Sequence, residues 1–188
     1  MGHHKFSAAK LQKLEDPRRL EREQPNVIWP LFGKVEVLID LGAGTGFFCR
    51  PFAEKMAKGT IWACDQNPAM IDYMKQNLPK GGPCIIKPLL VEEVSVSLED
   101  NVADCVFMAN VFHELDEPKA TCQEMWRLLK PGGRLVVTDW RDEETPHGPP
   151  VSHRLSQKTI MEAIESAGFS EIEAHDLLPQ HHVIRATK

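Results

Sequence analysis

Long apolar runs are missing from these 188 residues, and so is any excess of positive charge. No apolar stretch approaches the roughly 18 residues that a bilayer-crossing helix needs. The start, Met1-Gly2-His3-His4-Lys5, leads into a polar segment rather than the apolar region of a secretory signal, so no membrane partner and a cytoplasmic location are expected. Lys and Arg total 22 against 27 Asp and Glu, a formal net charge of -5. That balance argues against nucleic acid as a partner, because nonspecific affinity for it rests on clustered cations that neutralise phosphates. Five cysteines make an odd count with no C-x-x-C pair, and Cys64, Cys84 and Cys105 fall in apolar, strand-like runs, where buried free thiols are expected. The neighbouring pairs His3-His4 and His181-His182 lack the spaced partners of a closed metal site, so no metal is expected. There is one tyrosine, and there are no internal repeats or low-complexity tracts.

What is present reads as one globular domain over residues 1-188. An apolar fraction of 42% and a charged fraction of 26% are ordinary for a folded protein, and the chain is long enough to bury a core without staples. From residue 35 onward strand-like and helix-like segments alternate, the signature of a parallel sheet with crossover helices. Strands are predicted near 35-40, 60-64, 83-87, 103-109 and 133-139, and helices near 46-57, 68-78, 117-130 and 156-167. Asn67-Pro68 and Glu117-Pro118 supply helix-start signals, and Gly168 is a natural stop. The proline-bearing stretch 142-155 must be a loop, since proline removes a donor and fixes φ. Two last strands, near 170-176 and 181-186, are separated by only Leu177 to Gln180. That gap is too short for a parallel crossover, so they should pair antiparallel. Residues 1-33, helical but broken by Pro17, Pro25 and Pro30, are too few for a core of their own. They are expected to cover a site on the core formed by residues 34-188.

The most informative run is Val37-Leu38-Ile39-Asp40-Leu41-Gly42-Ala43-Gly44-Thr45-Gly46, an apolar strand that ends on an acid and breaks into glycines. Such a turn brings a ligand against bare main-chain groups, and the pattern suits a nucleoside-type cofactor. A dinucleotide loop is G-x-G-x-x-G. Here the spacing is G-x-G-x-G, with Phe47 where the third dinucleotide glycine would stand. Asp40, two residues before the first glycine, suits a positively charged amine better than a pyrophosphate. At the end of the next strand Asp65 can accept both hydroxyls of a ribose, and a carboxylate there repels a 2′-phosphate.

Taken together, Asp40-Leu41-Gly42-Ala43-Gly44-Thr45-Gly46, Asp65, Asp104-Cys105-Val106-Phe107-Met108-Ala109-Asn110 and Leu129-Lys130-Pro131-Gly132-Gly133-Arg134-Leu135 resemble the class I S-adenosylmethionine-dependent methyltransferases. Ala109-Asn110-Val111-Phe112-His113-Glu114-Leu115 and Asp139-Trp140 are similar to small members of the group that includes the quinone-biosynthesis enzymes. The resemblance covers about residues 26-187. It implies an α/β fold: a Rossmann-like seven-stranded sheet in order 3-2-1-4-5-7-6, strand 7 antiparallel, with helices on both faces. It also implies S-adenosyl-L-methionine as cofactor. Asp40 and the Gly42-Ala43-Gly44 backbone would hold its methionine end, Asp65 with Gln66 the ribose, Met70 one adenine face, and Glu92 or Glu93 the adenine amino group. Asn110 would lie beside the transferable methyl.

Methyl transfer from a sulfonium is an in-line displacement in which positioning contributes most, and a base is needed only when the acceptor must lose a proton. Candidate bases and acceptor-binding groups at the carboxyl ends of strands 4 and 5 and in the following loop are His113, Asp139 and His153. Glu114 and Arg154 stand beside them. Among the four tryptophans Trp140 is the candidate contact for an aromatic acceptor. The expected activity is methyl transfer to a small-molecule acceptor whose identity and reacting atom stay open, as does the oligomeric state. Two readings compete. A noncatalytic binder or enzyme subunit would keep the cofactor pocket alone. An NAD-dependent oxidoreductase is opposed by the missing dinucleotide glycine and by the lack of a Y-x-x-x-K pair around Tyr73.

Overall fold

Seven strands form a single sheet in the order β3-β2-β1-β4-β5-β7-β6, in a computed structural model that describes residues 8-188. The strands are β1 Val37–Leu41, β2 Gly59–Asp65, β3 Cys84–Leu90, β4 Ala103–Ala109, β5 Leu129–Trp140, β6 Ser170–Ala174 and β7 His181–Thr187. The first five run parallel, while β7 lies antiparallel to both β5 and β6, as the short final connection requires. Reversal of strand order between β1 and β4 opens a crevice at the carboxyl ends of these strands, the place where open α/β sheets bind ligands.

The helices of the core are α4 Cys49–Lys55, α5 Pro68–Asn77, α6 Pro118–Leu128 and α7 Gln157–Ser166. Asn67 caps α5 by accepting from the Ala69 N–H at 3.0 Å, and Ser156 caps α7 by accepting from the Thr159 N–H at 3.1 Å. Before β1 come α1 Ala8–Leu14, α2 Arg19–Glu23, α3 Pro25–Ile28 and a 3-10 turn, Trp29–Phe32. Residues 1-7, with the His3-His4 pair, lie outside the described residues.

Of the boundaries that depart from the sequence expectation, two have a clear local cause. The first core helix starts at Cys49 rather than residue 46, because Gly44 and Gly46 hold left-handed φ angles of 57° and 75°. The Gly46 N–H closes a tight turn on the Ala43 carbonyl at 2.8 Å. The fifth strand begins at Leu129 rather than 133. Its early part crosses a register shift opposite β4 and exchanges main-chain bonds with Lys188 through Gly132 and Gly133.

One apolar layer lies on each face of the sheet. On one face Phe32, Phe52 and Phe107 pack with ring centroids 4.8 to 5.4 Å apart. Phe32 is 1% exposed, so its burial, worth about 1.5–3 kcal/mol, pins the N-terminal segment to β4. On the other face Met125 and Leu128 of α6 and Ile160 and Ile164 of α7 are buried with Val106 and Met108. All five cysteines are buried and free. Trp126, by contrast, is partly exposed on α6, where the Lys188 ammonium sits 3.9 Å from its ring centroid. Among the described residues no helix is long and apolar enough to cross a membrane.

Candidate functional site

The loop after β1 is built to leave backbone uncovered. Gly42 and Ala43 both donate to the Cys64 carbonyl at 2.9 Å, which ties the turn to β2. Gly42 has φ +76°, and a Cβ there would meet Val111 Cγ2 at 2.4 Å. At Gly44 a Cβ would point into space whose nearest described atom is Leu14 Cδ1, at 3.8 Å. Asp65 fixes the other side of this cradle. Its Oδ2 accepts from the Gly44 N–H at 2.7 Å and its Oδ1 from the Asn67 N–H at 2.8 Å.

Asp40 sits beneath the loop, 2% exposed. Burial pushes its carboxyl up to about 7; the Cys49 thiol, hydrogen-bonded at 3.1 Å, and Arg19 pull it down, while Asp65 raises it. A buried carboxylate this poorly compensated is matched to a ligand that brings its own positive charge.

Residues 11-23 pass over this cradle as a strap. Leu14 faces Gly44, and Glu15 pairs with Arg50 of α4 at 3.1 Å. The Arg19 guanidinium lies 4.3 Å from the Phe47 ring centroid. Glu23, 3% exposed, takes two hydrogen bonds from Arg19 at 2.8 and 2.9 Å and one from the Asn110 side-chain amide at 3.0 Å. Asn110, the residue after β4, is in a left-handed conformation, φ 58°, so the strap is joined to the strand end at a strained residue.

Beyond Asn110 the chain turns and presents His113. Its Nδ1 lies 2.7 Å from Asp139 Oδ1, its main-chain N–H donates to Asp139 Oδ2 at 3.0 Å, and Nε2 lies 3.9 Å from Glu114. Burial pulls the His113 pKa down, but the hydrogen bond and charge of Asp139, with Glu114 adding, outweigh it and leave a net rise. Asp139, at the end of β5, also accepts from the Trp140 N–H at 2.7 Å and is 2% exposed. That carboxylate is acceptor-only, so Nδ1 carries the proton and Nε2 is left as the group that can take one.

These parts surround a cavity of about 970 Å³, at the upper end of the range for ligand sites and large enough for a nucleoside cofactor beside a second small molecule. Of the residues singled out from sequence, Asp40, Gly42, Ala43, Gly44, Asp65, Gln66, Met70, Glu93, Asn110 and His113 border it. Asp139 stands behind His113. Glu92 turns away into a short bridge with Ser95, and His153 is exposed in the turn Val151–His153, neither bordering the cavity. Arg154 is consumed structurally: it donates to the carbonyls of Arg141, Glu143, His147 and Pro149 and so clamps the proline-rich loop. Trp140 borders the cavity, but its ring is covered by His181, 4.2 Å away between centroids, and by Gly148, where a Cβ would lie 2.8 Å from the indole. Among the described residues no three His, Cys, Asp or Glu side chains gather to hold a metal ion.

Sequence reasoning missed Glu23, Arg19 and Arg22. Their helix, α2, spans five residues, too short to show periodicity, and only the fold brings it to Asn110.

A sheet of this order with an uncovered glycine turn, a buried acid under it and an acid at the next strand end defines the class of nucleoside-binding α/β enzymes. Residues 39-137 match the protein family described as "Methyltransferase domain", and the chain belongs to the S-adenosylmethionine-dependent methyltransferases. It superposes on a SAM-dependent methyltransferase from Aquifex aeolicus with a TM-score of 0.89 and 32% identity, over 97% of this chain and 99% of that one. A ubiquinone/menaquinone biosynthesis C-methyltransferase from Neisseria meningitidis is 30% identical over 77% of this chain and 71% of its own length. The enzyme of the same description from Chromobacterium violaceum is 26% identical over 74% of this chain and 69% of its own.

Proposed function

We propose that this methyltransferase acts on a small molecule whose reacting oxygen or carbon must lose a proton, with His113 as the base and Asp139 as its positioning partner. The observation that carries the reading is the buried His113–Asp139 pair at the wall of the same cavity that holds the glycine cradle. S-adenosylmethionine, when bound, supplies a methyl group made electrophilic by a sulfonium. The chain's part is to hold, orient and deprotonate. Asp40, deprotonated, pairs with an ammonium, and the main chain of Gly42, Ala43 and Gly44 approaches the amino-acid tail. Asp65 with Gln66 accepts ribose hydroxyls, Met70 and Glu93 border the base, and Asn110 flanks the reacting centre. Nε2 of His113 takes the acceptor's proton, and Asp139 keeps the ring in the tautomer that can do so.

A C–H or O–H acceptor also fits the relatives, two of which are named as C-methyltransferases of quinone biosynthesis. A cytoplasmic location is part of the reading, supported by five buried thiols with no disulfide among them.

The test combines binding and turnover. S-adenosylhomocysteine should bind the purified chain in the micromolar range by calorimetry, and Asp65→Ala should lose that binding. Methyl-labelled cofactor should then pass its label to members of a panel of phenols, hydroquinones and carbon acids. Binding without label transfer, or equal transfer by His113→Ala, would overturn the assignment.

A further inference from the structure

The strap delivers more positive charge to the cavity than the fold uses. Lys13, Arg18, Arg19 and Arg22 all border it. Arg18 is spent on Asp16, with contacts of 2.9 to 3.1 Å, and Arg19 is spent on Glu23. Arg22 makes no hydrogen bond or ion pair among the described residues, and its Nε is buried without a partner. Lys13 is likewise unpaired there. Two cations therefore remain, and an unpaired buried guanidinium nitrogen is costly unless something fills its need.

The two stand at different places along the strap, Lys13 in α1 and Arg22 in α2. Lys13 adjoins Leu14, which lies over Gly44 in the cofactor cradle. Arg19 is the strap cation whose field reaches Asp40. The field of Arg22 reaches Asp16 and, together with that of Arg19, His181. That imidazole is held down at about 4, by burial first and then by Arg19 and Arg22 against the opposing pull of Glu23 and Asp139. Arg22 directly precedes Glu23, whose carboxylate holds the Asn110 amide at 3.0 Å, so it borders the cavity beside the strand end that leads to His113. The wall carboxylates Glu93, Glu114 and Asp116 come from the ends of β3 and β4 instead. The strap's own carboxylates at the cavity, Asp16 and Glu23, are paired with Arg18 and Arg19, so the charge left over on the strap is positive.

We infer that the methyl acceptor carries a carboxylate or phosphate group and that Arg22 is the residue that reads it. Guanidinium suits this task because its fork matches both oxyanions with paired hydrogen bonds. The inference rests on the methyl-transfer reading and narrows its substrate to anionic small molecules, oriented with the anion on the strap and the reacting atom toward His113.

The test uses the full chain saturated with S-adenosylhomocysteine and four small probes: benzoate and phenyl phosphate, with neutral benzamide and benzyl alcohol as matched controls. Binding is read by calorimetry or by ligand-observed NMR. At least one anion should bind tenfold or more tightly than its neutral match. Arg22→Ala should abolish that preference while S-adenosylhomocysteine affinity stays within about threefold, and Arg22→Lys should restore part of it. Anions that bind no better than the neutral probes, or an anion preference that survives in Arg22→Ala, would overturn the inference. So would a large loss of S-adenosylhomocysteine affinity in that variant, which would give the arginine to the cofactor's own carboxylate. Failure of the unaltered chain to bind S-adenosylhomocysteine would instead strike at the methyl-transfer reading.

Discussion

Asp139 grips His113 twice, accepting a hydrogen bond from the ring Nδ1 on one oxygen at 2.7 Å and from the main-chain N–H on the other at 3.0 Å. The grip sets both the position of the imidazole and its tautomer, leaving Nε2 as the ring nitrogen able to take a proton. Because the carboxylate is buried, the contact is shielded from solvent and salt.

If His113 is the base, turnover must rise with pH as the ring loses its proton. Its raised pKa puts that rise above the ordinary histidine value of 6.5. His113→Ala should lower kcat by about 10²–10⁴-fold with cofactor affinity unchanged. Asp139→Asn should lower the rate and also move the rising limb to lower pH, since the partner that raises His113 is gone. A pH–rate profile for both variants checks this. The stability effect has the opposite sense: the protonated ring is favoured in the fold, so its contribution is full below about 6.5 and is lost as pH climbs through the raised value.

Asp40 makes binding pH-dependent through its own carboxyl. Between 3.8 and about 7 the folded chain holds a proton there that the unfolded chain does not, so stability without ligand falls as pH rises across that span. The ammonium of S-adenosylhomocysteine needs the ionised form. Affinity should therefore strengthen from pH 6 to pH 8, and Asp40→Asn should bind about tenfold or more weakly with little pH dependence. Calorimetry in a pH series decides it.

Removing the Glu23 carboxylate strands two partners at once. Arg19, with a side chain only 11% exposed, loses its counter-charge, and the Asn110 amide loses its acceptor. Glu23→Ala should cost about 3 kcal/mol in denaturant unfolding, in the range for breaking a buried pair from one side. Cleavage within the strap under limited proteolysis should accelerate more than cleavage of the sheet.

Gly42→Ala places a methyl 2.4 Å from Val111 at a φ of +76°. The expected loss is about 1–3 kcal/mol. Adding Val111→Ala should recover the steric part but not the backbone part, so a double-mutant cycle should show coupling between the two positions.

The architecture was legible because its signals are local and periodic. The glycine turn, the Asn67-Pro68 start and the short gap between the last strands each dictate a conformation by chemistry alone, and strand order followed from the resemblance. The cradle residues were legible for the same reason, since Asp40 and Asp65 sit at strand ends whose register the sheet enforces. The strap was not. Its contacts join residues 87 positions apart, as in Glu23 with Asn110, and nothing near Glu23 announces that partner. The Pro-rich loop misled in another way. His153 and Arg154 adjoin in sequence, yet Arg154 is turned inward to satisfy four carbonyls while His153 faces solvent.

The antiparallel pairing of β7 with β5 sets His182 opposite Asp139 and His181 opposite Trp140. The last strand thus lies beside the wall that carries the proposed base, whereas the proposed donor grip is centred on the ends of β1 and β2, with Met70 and Glu93 added from beyond them. Selection can rewrite one flank of the crevice, through the opening helices and the final ribbon, without disturbing the other. A lineage of such proteins can keep a single methyl source and change clients.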